Sequence, residues 1–398
     1  LMISLNKSDL SINFGLKPVS NRFLSNKNEK APRFPLGISI NDDTGLISLS
    51  KPFPAEEVKP RYEWITCFEP EDHLDSLVES LVNLPGIDIN SSIGAYSFKD
   101  DSTIDRLNNK GYKNTWRVDP NHDLNVDNFS NIETYQHAFT MKKARLIKQK
   151  YGPVDILLVR HVVEHAYNIE KFIDAIRILI KPNGYILWEL PDCEKPLESG
   201  DCTMIWEEHI HYFTEFTFRQ FLINQNFYIN SLNIISYPME DCIVAITQDL
   251  SNKKTEIIPN REVIDTEIER AIKYIEILKK NIINIPIQLS NIKKKSGKIA
   301  IFGGGHASVA FISILGLESL IDFIVDDNPN KISKQLPAGN IPIIHSKELY
   351  NQDIKICLLG TNPQSHTKII GMHKDYVSNG GVFASIFPGT ATYFGDVL

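Results

Sequence analysis

DILLVRHVVEHAYN (155–168), IEKFIDAIRILI (169–180), KPNGYILWELPD (181–192) and DCTMIWEEHIHYF (201–213) make up the stretch Asp155 to Phe213, whose reading decides the fold. The first and third pieces are apolar runs of strand length, and the second has helical spacing. A strand–helix–strand unit with buried, parallel strands is therefore predicted. Acid and base side chains (Glu164, His165, Glu208, His209 and His211) fall where these strands end. Ligands of open parallel α/β sheets bind at that carboxyl edge, so a reaction centre is expected here before anywhere else in the chain.

Upstream the same alternation holds. GIDINSSIGAYSF (86–98) contains a first strand, STIDRLNNKGY (102–112) a helix, and NTWRVDP (114–120) a second strand closed by Asp119. A carboxylate at that point commonly accepts both hydroxyls of a ribose. The segment 132–139 and the helix MKKARLIKQKYG (141–152) lead into the central stretch; the helix TFRQFLINQNF (217–227) and the strands SLNIISYP (231–238) and DCIVAITQ (241–248) follow it. The pattern is that of a doubly wound α/β sheet.

Residues 1–60 carry short apolar clusters broken by Pro, Gly and Asn, with a hairpin turn at Asn41–Gly45, and read as a small β-rich lobe. Tyr62, Glu63 and Trp64 then form a loop entering the α/β domain of residues 61–250, ahead of a helix whose Leu74, Leu77, Val78, Leu81 and Val82 share one face. Tyr62 either lines a pocket or seals the domain seam. Beyond the polar residues 249–258, an amphipathic helix carries Ile264, Ile268, Ala271, Ile272, Ile275 and Leu278 on one stripe, and residues 251–297 bridge to a last domain, 298–398. That domain opens with KIAIFGGGHASVAFISIL (298–315), a strand running into Gly303, Gly304 and Gly305 and then a helix, so backbone N–H groups face an approaching anion. FIVDDNPNK, IPIIHS, IKICLLGTN and GVFASIFP supply further strands of a second, smaller Rossmann-like sheet.

A chain of 398 residues exceeds what one core usually serves. A formal charge of -7 argues against wrapping nucleic acid. No apolar run reaches the roughly 20 residues of a membrane helix, and the start LMISLNKSDL lacks a secretory apolar region, so a cytoplasmic protein is expected. Five scattered cysteines without a CxxC pair suggest neither disulfides nor a zinc knuckle.

Two constellations carry chemistry. Gly303, Gly305 and Ser308 form a GxGxx(S) turn suited to a phosphate, with Asp326 and Asp327 closing the next strand for a ribose or a solvated turn. Glu208 and His209, with His211 nearby, place an imidazole next to a carboxylate, a pairing suited to removing a proton beside a carbonyl. The rival readings are a metal held by His165, Glu208, His209 and His211, or a structural cluster. No HExxH helix or cysteine set accompanies these residues, and no metal is expected.

At this point FGLKPVSNRFL (14–24), FPLGISINDDTGLISL (34–49), Tyr62, VRHVVEHAYN (159–168), IWEEHIHYFT (205–214), GGGH (303–306) and VDDNPNK (325–331) together resemble the nucleotide-sugar C-methyltransferases over almost the whole chain. Those enzymes use S-adenosylmethionine to methylate a carbon of a nucleotide-linked keto-deoxysugar. The resemblance implies an α/β protein with a class I methyltransferase-like Rossmann domain, a β-rich N-terminal lobe and a second Rossmann-like domain. It implies S-adenosylmethionine bound through Gly94, Asp100, Asp119 and His161. It makes His209 the base that generates an enolate, aided by Glu208, His165 and Tyr62, with His165 or Tyr62 bonding the enolate oxygen. Gly303, Gly305, His306, Asp326 and His211 would hold a small-molecule nucleotide-sugar, in a monomer or homodimer that binds neither nucleic acid nor membrane. Three departures stand out. Asn41 and Thr44 occupy a CxxC of the family's N-terminal zinc site, so zinc is expected absent. Glu207 replaces the first His of a Tyr-His-Glu-His string. The cofactor loop IDINSSIGAYSFKDDST (87–103) keeps only Gly94, which leaves open a methyltransferase-like binding or scaffold protein that has lost its cofactor.

Overall fold

Residues 10–62, 64–65, 69–126, 136–238, 240–249 and 261–398 are described by a computed structural model. Glu63, Cys67, the segment 132–135 and most of the polar stretch 249–258 lie outside them. The strands β1 (Ser11–Pro18), β2 (Arg33–Ile40) and β3 (Ile47–Leu49) form an antiparallel meander. Its expected hairpin is closed by Asn41, whose Oδ1 accepts from the backbone N–H groups of Asp43 (2.9 Å) and Thr44 (3.1 Å). Gly45 follows at φ 76°, where an added Cβ would lie 2.7 Å from Glu267 Cβ, so only glycine lets this turn pack on the long helix Arg261–Ser296.

The central sheet contains β4 (Ile93–Ala95), β5 (Thr115–Arg117), β6 (Val154–Arg160) and β7 (Ile180–Asp192), all parallel. β6 and β7 are buried on both faces, as continuous apolar runs require. The expected Pro182–Gly184 turn is instead a bulge inside β7, with Asn183 at φ 64° and a register slip against β6. The chain then leaves this sheet. β8 (His211–Tyr212) pairs with β3, Ser48 opposite His211 and Ile47 opposite Tyr212, so the reaction stretch is stitched to the N-terminal meander. It returns as β9 (Phe227–Ile235) and β10 (Asp241–Asp249), giving the order β5-β4-β6-β7-β10-β9 with β10 antiparallel to both neighbours.

In the helix Arg261–Ser296, Ile264, Ile268, Ala271, Ile275 and Leu278 are buried, while Ile272 is only partly so. The third sheet comprises β11 (Lys298–Phe302), β12 (Phe323–Val325), β13 (Gln335–Leu336), β14 (Ile341–Ile344), β15 (Ile354–Leu359) and β16 (Val382–Ser385). Its order is β13-β14-β12-β11-β15-β16, parallel apart from β13. Successive connections leave β11 on opposite sides, which opens a ligand crevice between the ends of β11 and β15.

Candidate active site

A cavity of about 570 Å³ lies between the carboxyl edge of β6 and β7 and the crevice of the third sheet. This is within the usual size range of small-molecule sites. Its central-sheet wall carries Glu69, Lys99, His161, Glu164, His165 and His209; its opposite wall carries Gly303–His306, Asp326 and Thr361.

A buried charge network underlies the first wall. Arg160 ends β6 and grips Glu189 of β7 twice, Nε to Oε2 at 2.6 Å and Nη2 to Oε1 at 2.9 Å. The same carboxylate meets His161 Nε2 at 3.0 Å and His73 Nε2 at 3.1 Å. Burial opposes the charge on Glu189, yet Arg160 and the two imidazoles hold it well below the usual carboxylate range. His161 adopts φ 51°, a strained conformation for a non-glycine residue. Burial works against its charge too, but Glu69, Glu164 and Glu189 raise it well above the ordinary histidine value. Glu69 is desolvated as well, and His161 together with Lys99, 2.7 Å away, holds it at about 2.

One turn further, Glu164 and His165 sit on a short 3-10 turn, Val163–His165. Glu164 is 2% exposed, and neither of its oxygens accepts a hydrogen bond among the described residues. Its nearest cationic atoms are His161 Nδ1 at 3.8 Å and His165 Nε2 at 3.9 Å. His165 Nδ1 bonds the backbone oxygen of Glu208 at 2.8 Å, and since a carbonyl only accepts, Nδ1 carries the proton. Burial lowers the pKa of His165, so it is neutral and its Nε2 offers a lone pair, not a donor. His165 therefore cannot donate to an enolate oxygen in this tautomer, contrary to the sequence expectation. The His209 ring stands edge-on to it, centroids 4.8 Å apart. Burial, then neighbouring His165 and His306, keep His209 neutral, well below 6.5. Trp206 stacks on His306 at 4.4 Å and links the two walls.

Across the cavity Gly303 takes φ 103°, and a Cβ there would meet Thr361 at 2.7 Å. Asp326 Oδ2 accepts from Gly304 N and Lys331 Nζ, both at 2.9 Å, and Oδ1 accepts from Asn328 N. The carboxylate expected to bind a ligand thus already braces the glycine turn. Gly305 caps the helix His306–Leu315, whose N-terminus opens on the cavity.

Of the residues singled out in the sequence, His161, His165, His209, Gly303, Gly305, His306 and Asp326 meet here. Others do not. Glu208 is directed elsewhere than His209: its Oε1 accepts from Asn21 Nδ2 at 3.2 Å, and the residue lines a smaller cavity of about 180 Å³ that adjoins the first along Trp206 and Gly304–His306. His211 is consumed by structure, accepting from Ser48 Oγ at 2.9 Å and donating to Ala166 O at 3.1 Å. Tyr62 stacks on Trp64 (4.9 Å) with Lys334 over its ring, and Trp64, not Tyr62, reaches the smaller cavity. Asp100 is buried beneath the turn after β4, accepting from Ser97 N at 3.1 Å, and burial lifts it to about 7. Asp119 lies two residues beyond β5, its Oδ1 caps the N–H groups of Asn121 and His122, both at 2.9 Å, and it does not line the cavity.

Gly94 lies within β4, where a Cβ would sit 2.7 Å from the Trp116 ring. It makes room for that tryptophan, which stacks on Tyr151 at 4.9 Å. Gly94→Ala is accordingly expected to cost about 1–3 kcal/mol through overpacking, seen as a lower denaturation midpoint.

Glu69 was not among the sequence candidates, and Glu164 reads from the sequence only as one of the acid and base side chains at the strand ends. A signal for Glu164 existed: His161, Glu164 and His165 follow the HxxEH order of some zinc peptidases. That motif needs a helix, and the left-handed His161 turns its ring to Glu189 instead.

S-adenosylmethionine fits this wall by charge. Lys99, in the turn after β4, and Glu69 face the cavity side by side, offering opposite charges to a zwitterionic amino-acid end. The turn's own Ser97 and Asp100 groups are spent on a reciprocal capping box.

Residues 74–232 match a methyltransferase domain, and residues 268–388 match a C-methyltransferase C-terminal domain. The C-methyltransferase NovU of Streptomyces niveus is 20% identical over 208 residues, 51% of this chain and 49% of that protein. The chain thus spans about half the length of this curated relative. Among solved structures, 1,6-didemethyltoxoflavin-N1-methyltransferase of Burkholderia thailandensis is 10% identical, covering 45% of this chain and 77% of that one at a TM-score of 0.30. Phosphoethanolamine N-methyltransferase 2 of Haemonchus contortus is 12% identical, covering 72% and 67% at a TM-score of 0.25. The chain thus carries a methyltransferase domain followed by a C-methyltransferase C-terminal domain.

Proposed function

We propose that the chain moves the methyl group of S-adenosylmethionine onto a carbon next to a ketone in a nucleotide-linked deoxysugar, with His209 taking the proton. The observation that carries this reading is a single cavity joining the His209, His165 and Glu164 side chains to the glycine turn of a second nucleotide-type sheet. The nucleotide's phosphates would meet the N–H groups of Gly303–Gly305 and the N-terminus of the helix His306–Leu315. The sugar would then lie toward His209.

Bound S-adenosylmethionine supplies an electrophilic methyl group. The neutral His209 ring accepts the proton from the carbon, and the new imidazolium is stabilised by the Glu164 carboxylate and the lone pair of His165 Nε2. His161, cationic beside Glu189, and Lys99 keep the same wall from carrying a net excess of negative charge. Incubation with S-adenosylmethionine and a nucleotide-linked keto-deoxysugar should yield, by mass spectrometry, a product one methylene heavier.

A second reading, a binding protein without methyl transfer, draws on the glycine-free turn Ser97–Asp100, whose capping groups bond each other. Absence of S-adenosylmethionine binding in calorimetry, together with absence of product, would favour it.

The pH dependence tests the base separately. Because the folded protein holds His209 below 6.5, the proton-accepting form persists at pH 6.5 and is lost only as pH falls further. The profile of kcat/KM should still be on its plateau at pH 6.5, with the acid limb below it; a limb centred above 6.5 would assign the base elsewhere.

A further inference from the structure

We propose that Glu164, His165 and His209 form a site for a divalent transition-metal ion of the zinc or cobalt class, and that filling it switches the chain off. The second half of this inference rests on the reading of His209 as proton acceptor; the first half does not.

The three candidate ligand atoms, one from each residue, all lie within 4.8 Å of one another on the cavity wall. Glu164 is the strongest pointer. It is a carboxylate 98% buried with no hydrogen bond on either oxygen, and its nearest charge, His161 Nδ1 at 3.8 Å, is too far to hydrogen-bond, so both oxygens stay open to a ligand. His165 adds the arrangement typical of a ligating imidazole, in which the far nitrogen donates to a backbone carbonyl and so fixes the ring and its tautomer. Nε2 is left free to bind, 3.9 Å from Glu164 Oε1. Tetrahedral ligands at about 2.1 Å from zinc stand about 3.4 Å apart, so small side-chain rotations close the set. His209 brings a neutral ring that makes no side-chain hydrogen bond among the described residues.

Two imidazoles and one carboxylate suit zinc, cobalt or ferrous ions, whereas magnesium and calcium prefer oxygen donors throughout. The cavity side of the set stays open to water or substrate. A second group of potential ligands, His161, Glu189 and Cys242, is a poor rival, because both Glu189 oxygens are held by the Arg160 guanidinium. The switch follows from electron pairs: the His209 lone pair that would take the substrate proton is the one a metal would take.

The test is a titration of the tag-free full chain with Co²⁺, which reports imidazole ligation through its visible bands. One equivalent should give the spectrum, and Zn²⁺ should displace it. Glu164→Gln, which keeps shape and loses charge, should weaken binding at least about ten-fold, as should His209→Ala, each checked for native circular dichroism. His122→Gln removes an exposed imidazole next to Asp119 and should change nothing. Excess Zn²⁺ should suppress methyl transfer and a chelator restore it. The inference is overturned by the absence of a stoichiometric spectrum, by one that Glu164→Gln leaves unchanged, or by full turnover at saturating Zn²⁺. A chain that gives the spectrum but never transfers a methyl group supports the site and overturns the reading of function instead.

Discussion

Replacing His209 by alanine is expected to lower methyl transfer by about 10²- to 10⁴-fold, the usual worth of a positioned general base, while leaving the fold in place. The backbone of His209 donates to Trp206 O at 3.0 Å and does not depend on the ring. Cofactor affinity in calorimetry should stay close to that of the parent, because Lys99 and Glu69 lie in other elements. The contrast is Glu208→Gln. Although Glu208 is adjacent in sequence, its carboxylate faces Asn21 and the smaller cavity, so its loss should cost far less turnover than that of His209. Equal losses at the two positions would restore the Glu208–His209 pair read from the sequence. Unchanged turnover in His209→Ala would shift the proton to His165, whose Nε2 already presents a lone pair to the same wall.

The contrast between neighbours shows which features local sequence could carry. β6 and the apolar part of β7 are legible because a strand buried on both faces must be apolar without interruption. The stripe Ile264, Ile268, Ala271, Ile275 and Leu278 is legible by its period, and the turn Gly303–Gly305 by its place between strand and helix. The direction of a side chain at a strand end is different. Which of Glu208 and His209 faces the cavity depends on β8 pairing with β3, a contact between residues 47–48 and 211–212 that no local pattern announces. Gly94 misled for the same reason. It reads as the remnant of a glycine-rich cofactor turn, but the glycine is demanded by Trp116 from the neighbouring strand. Asp100 reads as a cofactor acid, and is a capping residue buried under its own turn. Glu164 reads from the sequence only as one acid among those at the strand ends, because a carboxylate beside a histidine is unremarkable until burial leaves both of its oxygens without a hydrogen bond.

Glu189→Gln should be the most destabilising substitution near the site, costing about 3–5 kcal/mol in urea unfolding at neutral pH. The Glu189 side chain is fully buried and receives two bonds from Arg160 and one each from His161 and His73. Without its charge, the Arg160 guanidinium, 1% exposed, keeps no carboxylate hydrogen-bonded to it among the described residues. The penalty is chiefly that of an uncompensated buried cation, which outweighs what the intact pair itself contributes. Because folding depresses the Glu189 pKa below its ordinary 4.5, the carboxylate's contribution is complete above that pH and fades as pH falls toward the folded value. The gap between parent and variant should therefore stay constant from neutral pH down to about 4.5 and narrow below it. A loss that grows on acidification would mean that the carboxyl is protonated at neutral pH. The same substitution removes one of the carboxylates that keep His161 cationic, so the strained turn at His161 should loosen with it. Glu164 and His165 follow directly on that turn, and turnover in the variant should fall even where the protein remains folded, because the wall that orients His209 is hung from the Arg160–Glu189 pair.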